Sequence, residues 1–466
     1  MKNNSDKNKM LWGSVVLGLG TFAAKLLGAI YRVPLTAILG GTGIGLYQMV
    51  FPVYTVLLDF SGAGAPSALS KLIAGERTES KEAAARKYLS ASIRLFSSLG
   101  LVFSLFMAVF SKILADAQGN GNAFLSYIFL APAVFFVCLI TPFRGYFQGL
   151  GDMKPTALSQ IIEQFIKLCF GLMLAKLFSY DNARAAAGAA GAITISEAVA
   201  ALYLFLTYKR RTKNSAGVFF ESGAELSLFS KKIIKTALPI TLIGIALPLS
   251  AVADSFIAVN ILNGYRTDAT SLYGLFSGVA MTVIGLPVAI CYGVAAVAIP
   301  AVAGAKDKDE ERKNGKKSIF ITIAFSLPCA AFLYFFAPFA VNLLFRSLPV
   351  SERETAAALI KILSPAVVLL SVLQTQNAVL IGRGQTYLPI IAMVSGAAVK
   401  TIAEILLIKN PAFNVYGLAA AVIACYLTAD LVNFITLSKK TESSEDKSVV
   451  KDESTADKFR GGYRSE

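Results

Sequence analysis

The chain contains no histidine in 466 residues. That removes the commonest general base and the commonest metal-binding ring, along with the side chain that titrates nearest neutral pH. Tryptophan occurs once, at Trp12. Five cysteines, Cys138, Cys169, Cys291, Cys329 and Cys425, are spread one to an apolar stretch and form no Cys-x-x-Cys pair. They read as small packing residues rather than metal or redox groups. Charge is scarce as well, at 16% of residues, where soluble domains carry roughly 25%. No cofactor or metal is expected, and no catalytic constellation emerges, so an enzyme is not expected either.

What the chain has instead is hydrocarbon. Hydrophobic residues make up 55%, gathered in stretches long enough to cross about 30 Å of bilayer. In lipid such stretches must be helical, because each backbone polar group needs a partner within its own segment. Hydropathy places spans 1 to 12 at roughly 12–38, 45–73, 87–113, 123–148, 155–179, 184–208, 232–262, 271–303, 318–344, 357–381, 386–409 and 414–437. Proline and glycine interrupt several, notably Ser61-Gly62-Ala63-Gly64-Ala65-Pro66 in span 2.

The sequence repeats itself at a spacing of about 233 residues. Leu130-Ala131-Pro132-Ala133-Val134 returns as Leu363-Ser364-Pro365-Ala366-Val367, Gly149-x-Gly151 as Gly382-x-Gly384, and Lys167 as Lys400. Weaker echoes link Leu46-Tyr47 to Leu272-Tyr273 and Pro66 to Pro300. Two similar halves that can rock about a central site are the pattern of a transporter. The fold class expected is an all-α integral membrane protein of about 12 transmembrane helices in two six-helix lobes related by a parallel internal repeat. The boundaries expected are 1–209 for the first lobe, 210–230 for a cytoplasmic linker, 231–437 for the second lobe and 438–466 for a disordered tail.

Net charge is +15. Most of the 44 lysines and arginines fall on one side of the spans, in 71–88, 209–235, 306–317 and the two ends. By the positive-inside rule both termini are cytoplasmic. The basic excess therefore reads as topology, with no nucleic-acid partner. The first stretch is too long, and lacks a small-residue cleavage site, for a signal peptide.

Charges inside the spans are the functional candidates, because an ionised group at mid-bilayer costs roughly 2.5–3.5 kcal/mol on insertion scales. Span 1 holds Lys25 and Arg32, seven residues apart and so on one helix face, with no acidic residue in that span. Its counterpart, span 7, holds Asp254 instead. Two cations facing a cavity suit an anion, phosphate above all; snorkelling to water is the plainer alternative. Glu163 with Lys167, and Lys400 with Glu404, are spaced i,i+4, and mutual neutralisation along each helix accounts for both pairs. The recurrence of the lysine leaves room for a role at the cavity floor or gate. Arg94, Glu197, Asp59 and Asp430 read as packing or helix–helix contacts. Gly41-x-Gly43-x-Gly45 reads as a glycine turn, since no strand precedes it.

Several stretches resemble the stage V sporulation protein B branch of the polysaccharide flippases, in the superfamily shared by MurJ and the MATE exporters. They are Lys25-Leu26-Leu27-Gly28-Ala29-Ile30-Tyr31-Arg32-Val33-Pro34-Leu35, Gly45-Leu46-Tyr47-Gln48-Met49, the run from Ser61 to Leu72, and Arg144-Gly145 through Pro155-Thr156-Ala157 to Glu163-Gln164. The resemblance covers nearly all of 10–437. It implies a V-shaped bundle around a cavity lined by spans 1, 2, 7 and 8. The implied substrate is a polyprenyl-diphosphate-linked saccharide, such as a peptidoglycan precursor, with its diphosphate held by basic residues of span 1. The substrate-binding candidates are therefore Lys25, Arg32, Tyr31, Gln48 and Asp254. The gating or secondary candidates are Arg144, Glu163, Lys167, Lys400 and Glu404. Expected partners are the anionic lipid-linked saccharide, membrane lipids and a coupling Na⁺ or H⁺. Two departures stand out: Val56, Leu57 and Asp59 occupy span 2 where MurJ-like proteins carry further arginines, and twelve spans replace the fourteen of many relatives. A MATE-type exporter, which would show acids in place of Lys25 and Arg32, is the alternative. A major-facilitator transporter should show Gly-x-x-x-Asp-Arg where this chain reads Gly75-Glu76-Arg77. A membrane transferase lacks a catalytic pair.

Overall fold

The computed structural model describes residues 2–76, 81–212 and 223–438; the side chains of 2–19, of Phe22, Lys25 and Ala63 and of some positions in 223–247 are outside the description. The middle of the expected linker and the expected tail from 439 onward lie outside the described residues. All regular structure among the described residues is helical. Helix α1 (Lys2–Leu58) covers span 1 and about half of span 2; it changes direction at Gly40, whose φ of 63° is left-handed. After one π-turn, Asp59–Ala63, the chain continues as α2 (Ala65–Ala74). Then come α3 (Lys81–Val109), α4 (Ser111–Ala117), α5 (Phe124–Gly149), α6 (Lys154–Leu177) and α7 (Asn182–Arg211). The second half runs through α8 (Gly223–Gly244), α9 (Ala246–Asn263), α10 (Ala269–Gly274), a second π-turn at Leu275–Ala280 and α11 (Met281–Ala303). It ends with α12 (Lys308–Leu344), α13 (Val350–Gly382), α14 (Leu388–Ile408) and α15 (Tyr416–Ser438).

All twelve expected spans fall on helix. Ten described stretches are long and apolar enough to cross a membrane, and Pro248–Asn263 is a shorter apolar helix. The number falls from twelve because spans 1 and 2 run together as Leu26–Ala74 and span 7 is divided between α8 and α9.

The two halves pack alike. Helix α3 lies on α5, α5 on α7, α6 on α7 and α1 on α6; in the second half α12 lies on α13, α13 on α15, α14 on α15 and α9 on α14. The repeated Gly-x-Gly shows the correspondence in detail. Gly151 and Gly384 both adopt left-handed φ, at 83° and 77°. Each closes its helix the same way: Gly151 N donates to Gln148 O and Asp152 N to Phe147 O, as Gly384 N donates to Ile381 O and Gln385 N to Leu380 O. Both second glycines are thus helix caps.

The halves meet where α1 crosses α10. A Cβ on Gly45 would lie 2.1 Å from the Thr270 carbonyl oxygen, and one on Gly274 would lie 2.4 Å from the Gly41 carbonyl oxygen. Gly41 and Gly45 are thus a close-packing face on a helix, not a turn; the turn is at Gly40. The second π-turn sits beside this crossing and leaves carbonyls to be satisfied. Gln48 Nε2 donates to Ser277 O at 3.2 Å, and Thr282 Oγ1 donates to Gly278 O at 2.6 Å.

Candidate functional site

Between the halves lies a cavity of about 1080 Å³. Its first-half wall comes from α1 and α6, with Arg144 reaching in from α5. Among the described residues, Arg32, Arg144 and Lys167 face it against a single carboxylate, Glu163, which leaves two positive charges in excess. Its second-half wall comes from α11 and α12 with Gln374 of α13, and among the described residues contributes no charge at all.

Arg32 Nη1 donates to Thr282 Oγ1 at 2.9 Å across the cavity, so this guanidinium links α1 to α11. Its remaining donors have no carboxylate among the described residues. Tyr31, beside it, is buried and also lines the cavity. It fits because α6 carries Gly171 there, where any Cβ would collide with the Tyr31 hydroxyl. Lys167 places its ammonium 5.9 Å from the Tyr31 ring centre and 5.8 Å from that of Phe51, two cation–π contacts. Arg144 Nη2 donates to Glu163 Oε2 at 3.0 Å, and its Nε donates to Ser159 Oγ at 3.1 Å.

The expected i,i+4 pairs are corrected by this geometry. Glu163 is neutralised by Arg144 from α5, not chiefly by Lys167. Lys400 donates to Asp254 Oδ2 of α9, with Glu404 buried one turn further along α14. In both cases a helix packed alongside offers a better-placed partner than the next turn of the same helix. Arg144, Glu163 and Lys167 thus join Tyr31 and Arg32 at the cavity. Gln48 does not line it, being held in the contact between halves, and Asp254, Lys400 and Glu404 form a separate buried cluster. The Lys25 side chain lies outside the described residues; its backbone places it two turns before Arg32 on α1.

Gln160 and Gln164 line the cavity too, although charge alone did not point to them. The signal was present: Gln160, Glu163, Gln164 and Lys167 are spaced as one polar face on an otherwise apolar helix. Glu197 of α7 is buried against Glu163, within side-chain hydrogen-bonding reach. Thr282 and Gln374 carried no sequence signal, since only the packing of the halves brings them in. Among the described residues no three Asp, Glu or Cys side chains converge as metal ligands.

The sequence pattern of the polysaccharide biosynthesis proteins matches residues 10–306. The chain belongs to that family. The MatE family pattern also matches, over residues 239–406. Among curated relatives, stage V sporulation protein B of Bacillus subtilis (strain 168) is 25% identical over 442 residues, covering 93% of this chain and 84% of that protein. Lipid II flippase MurJ of the same organism is 24% identical over 458 residues, covering 93% and 83%. Among solved structures, the inward-facing conformation of a MATE family multidrug resistance transporter of the MOP superfamily overlays with a TM-score of 0.75 at 17% identity, covering 89% of this chain and 93% of that one. Lipid II flippase MurJ in its inward closed conformation gives 0.70 at 14% identity, covering 91% and 88%. The V-shaped helical bundle expected from the resemblance is the fold this polysaccharide biosynthesis family member shares with both. It is a multi-pass membrane transporter.

Proposed function

We propose that the protein is a flippase that carries a polyprenyl-diphosphate-linked saccharide from the inner to the outer leaflet by alternating access. The observation that carries this reading is the cavity's imbalance of charge, three cations to one carboxylate, all on one wall. Arg32 is the principal diphosphate ligand: a guanidinium presents paired donors to phosphate oxygens, and this one has no competing carboxylate among the described residues. Lys25, two turns away on the same helix, and Lys167 add charge around it. One phosphate oxygen about 4 Å from a cation gains about 4 kcal/mol at an effective dielectric of 20. Gln160 and Gln164 offer neutral donors and acceptors suited to sugar hydroxyls. With both termini cytoplasmic, outward movement of the negative headgroup is assisted by the membrane potential at roughly 2.3 kcal/mol per charge per 100 mV.

The MATE-type exporter remains the rival reading, favoured by the MatE pattern over residues 239–406. Its organic cations would meet repulsion from Arg32, Arg144 and Lys167. Depleting the protein and measuring lipid-linked saccharides in each leaflet separates the two. Accumulation of one precursor in the inner leaflet, restored by the native chain but not by Arg32→Glu, is the expected result. Normal precursor distribution, or full rescue by Arg32→Glu, would refute the flippase reading.

A further inference from the structure

A second pocket, of about 460 Å³, lies between the last turns of α12 and the first turns of α13 and shares no lining residue with the central cavity. With both termini cytoplasmic, this end of the hairpin faces outward. Two cations, Arg353 and Lys361, line it against one carboxylate, Glu354. Arg353 Nη1 donates to Asn342 Oδ1 at 2.7 Å and ties the two helices together, while its Nε is buried without a partner. Lys361 is exposed and has no ion-pair partner among the described residues. Its depth makes that notable. The apolar stretch Val350–Gly382 is 33 residues long, about 50 Å of helix against roughly 30 Å of hydrocarbon. Centred in the bilayer, it leaves about 10 Å at each end in the headgroup layer. Lys361, about 16 Å from its start, is rooted just inside the hydrocarbon. Helical side chains lean toward the N-terminus of their helix, here outward, which carries the ammonium over Ala357 toward Arg353. Ala357 is one turn from each cation on the same face, and its small side chain leaves the space between them open.

We propose that this pocket binds the phosphate of an anionic phospholipid of the outer leaflet, held between Arg353 and Lys361. The inference does not depend on what the central cavity carries. An unpaired ammonium rooted at the edge of the hydrocarbon is costly unless an anion meets it, and the anion abundant at that depth is a lipid phosphate. Arg353 supplies an unused donor from its Nε and Lys361 a mobile point charge. Asn342, whose oxygen is taken by Arg353, keeps its amide nitrogen as a further donor. The pocket's net positive charge favours a headgroup with no cation of its own, because a choline or ethanolamine would bring a second positive charge to a site that already has an excess. Pro338 and Val350 give the lipid's glycerol end an apolar rim. A lipid seated here braces the outer ends of α12 and α13 against each other.

The test uses the full-length protein in phosphatidylcholine nanodiscs that contain a trace of phosphatidylglycerol with a diazirine beside its headgroup. Cross-links mapped by mass spectrometry should gather on the hairpin between Pro338 and Lys361. Unlabelled phosphatidylglycerol should compete them away, whereas extra phosphatidylcholine, or glycerol phosphate added to the bath, should not. Lys361→Gln and Arg353→Gln should each lower this labelling roughly fivefold, the usual effect of one basic residue at an anionic lipid surface. Arg32→Gln should leave the hairpin label as it is, because Arg32 belongs to the other cavity. Labelling spread evenly over the membrane-facing helices, equal competition by phosphatidylcholine, or unchanged labelling in Lys361→Gln would overturn the site. Displacement by glycerol phosphate would make it a site for a soluble anion and overturn the lipid as its occupant. Arg353→Gln also removes the contact with Asn342; should it fail to fold, Lys361→Gln, which breaks no ion pair, decides alone.

Discussion

At the scale of single residues, the membrane interior makes each charge declare its partner. Arg144 and Glu163 are both only about 15% exposed, and their 3.0 Å contact holds an arginine that would otherwise face the cavity free. Glu163→Gln should therefore release Arg144 and raise the excess cavity charge by one. Tighter polyprenyl diphosphate binding with slower turnover is expected, read by equilibrium binding alongside vesicle flipping; weaker binding would show that Glu163 contacts the ligand directly. The buried Lys400–Asp254 pair makes a different case. Removing one member of such a pair strands the other, at about 3–5 kcal/mol. Lys400→Met and Asp254→Asn should each lower the thermal unfolding midpoint in detergent strongly, and the double variant should recover part of the loss. Additive losses would mean that the contact between them contributes nothing. These partners were only half legible beforehand. That Arg32, Lys167 and Lys400 lie inside spans follows from hydropathy. That Lys400 turns to Asp254, 146 residues away, depends on α9 packing against α14, and no local spacing encodes it.

At the scale of elements, the helices were readable because a bilayer leaves so few alternatives. Every expected span is helix, and only their continuity differs: Gly40, itself non-helical, kinks α1 between spans 1 and 2, and span 7 breaks between Gly244 and Ala246. The two π-turns were not foreseen, since a π-turn is stabilised by whatever caps its spare carbonyls, here Gln48 and Thr282 from outside the turn itself. The repeated Gly-x-Gly is legible in the sequence as a repeat, whereas its part in capping two helices shows only in the backbone. Both second glycines hold left-handed caps with open space around them. Gly151→Ala and Gly384→Ala should accordingly cost about 1–2 kcal/mol each from backbone conformation alone, with little change in transport rate per folded molecule. Thermal unfolding together with vesicle flipping checks this; a large loss of turnover at unchanged stability would show that they act as hinges instead.

At the scale of the whole molecule, the structure holds its halves most closely where α1 crosses α10 and apart at the cavity, so alternating access is expected to open that crossing. Close approach there is enforced by glycine: no larger residue fits at Gly45 or Gly274 without displacing backbone. Beside it, a Cβ built on Gly41 lies 2.1 Å from Ser271 Oγ and 2.5 Å from Glu352 Oε1, so two cysteines there are close enough to bond once the crossing gives slightly. In a chain whose five native cysteines are replaced, Gly41→Cys with Ser271→Cys should therefore cross-link on mild oxidation. The bonded protein should keep its fold and its affinity for polyprenyl diphosphate, because Arg32 and the first-half wall are untouched. It should lose flipping almost completely, and a reducing agent should restore it, since what the bond forbids is separation of α1 from α10 and not ligand binding. Flipping that continues at full rate in the oxidised protein would show that this crossing stays shut throughout the cycle. The movement would then have to occur at the other contacts between the halves, where α8 meets α2 and α3 or where Asn260 and Asn263 of α9 donate to the carbonyls of Ala117 and Gly119.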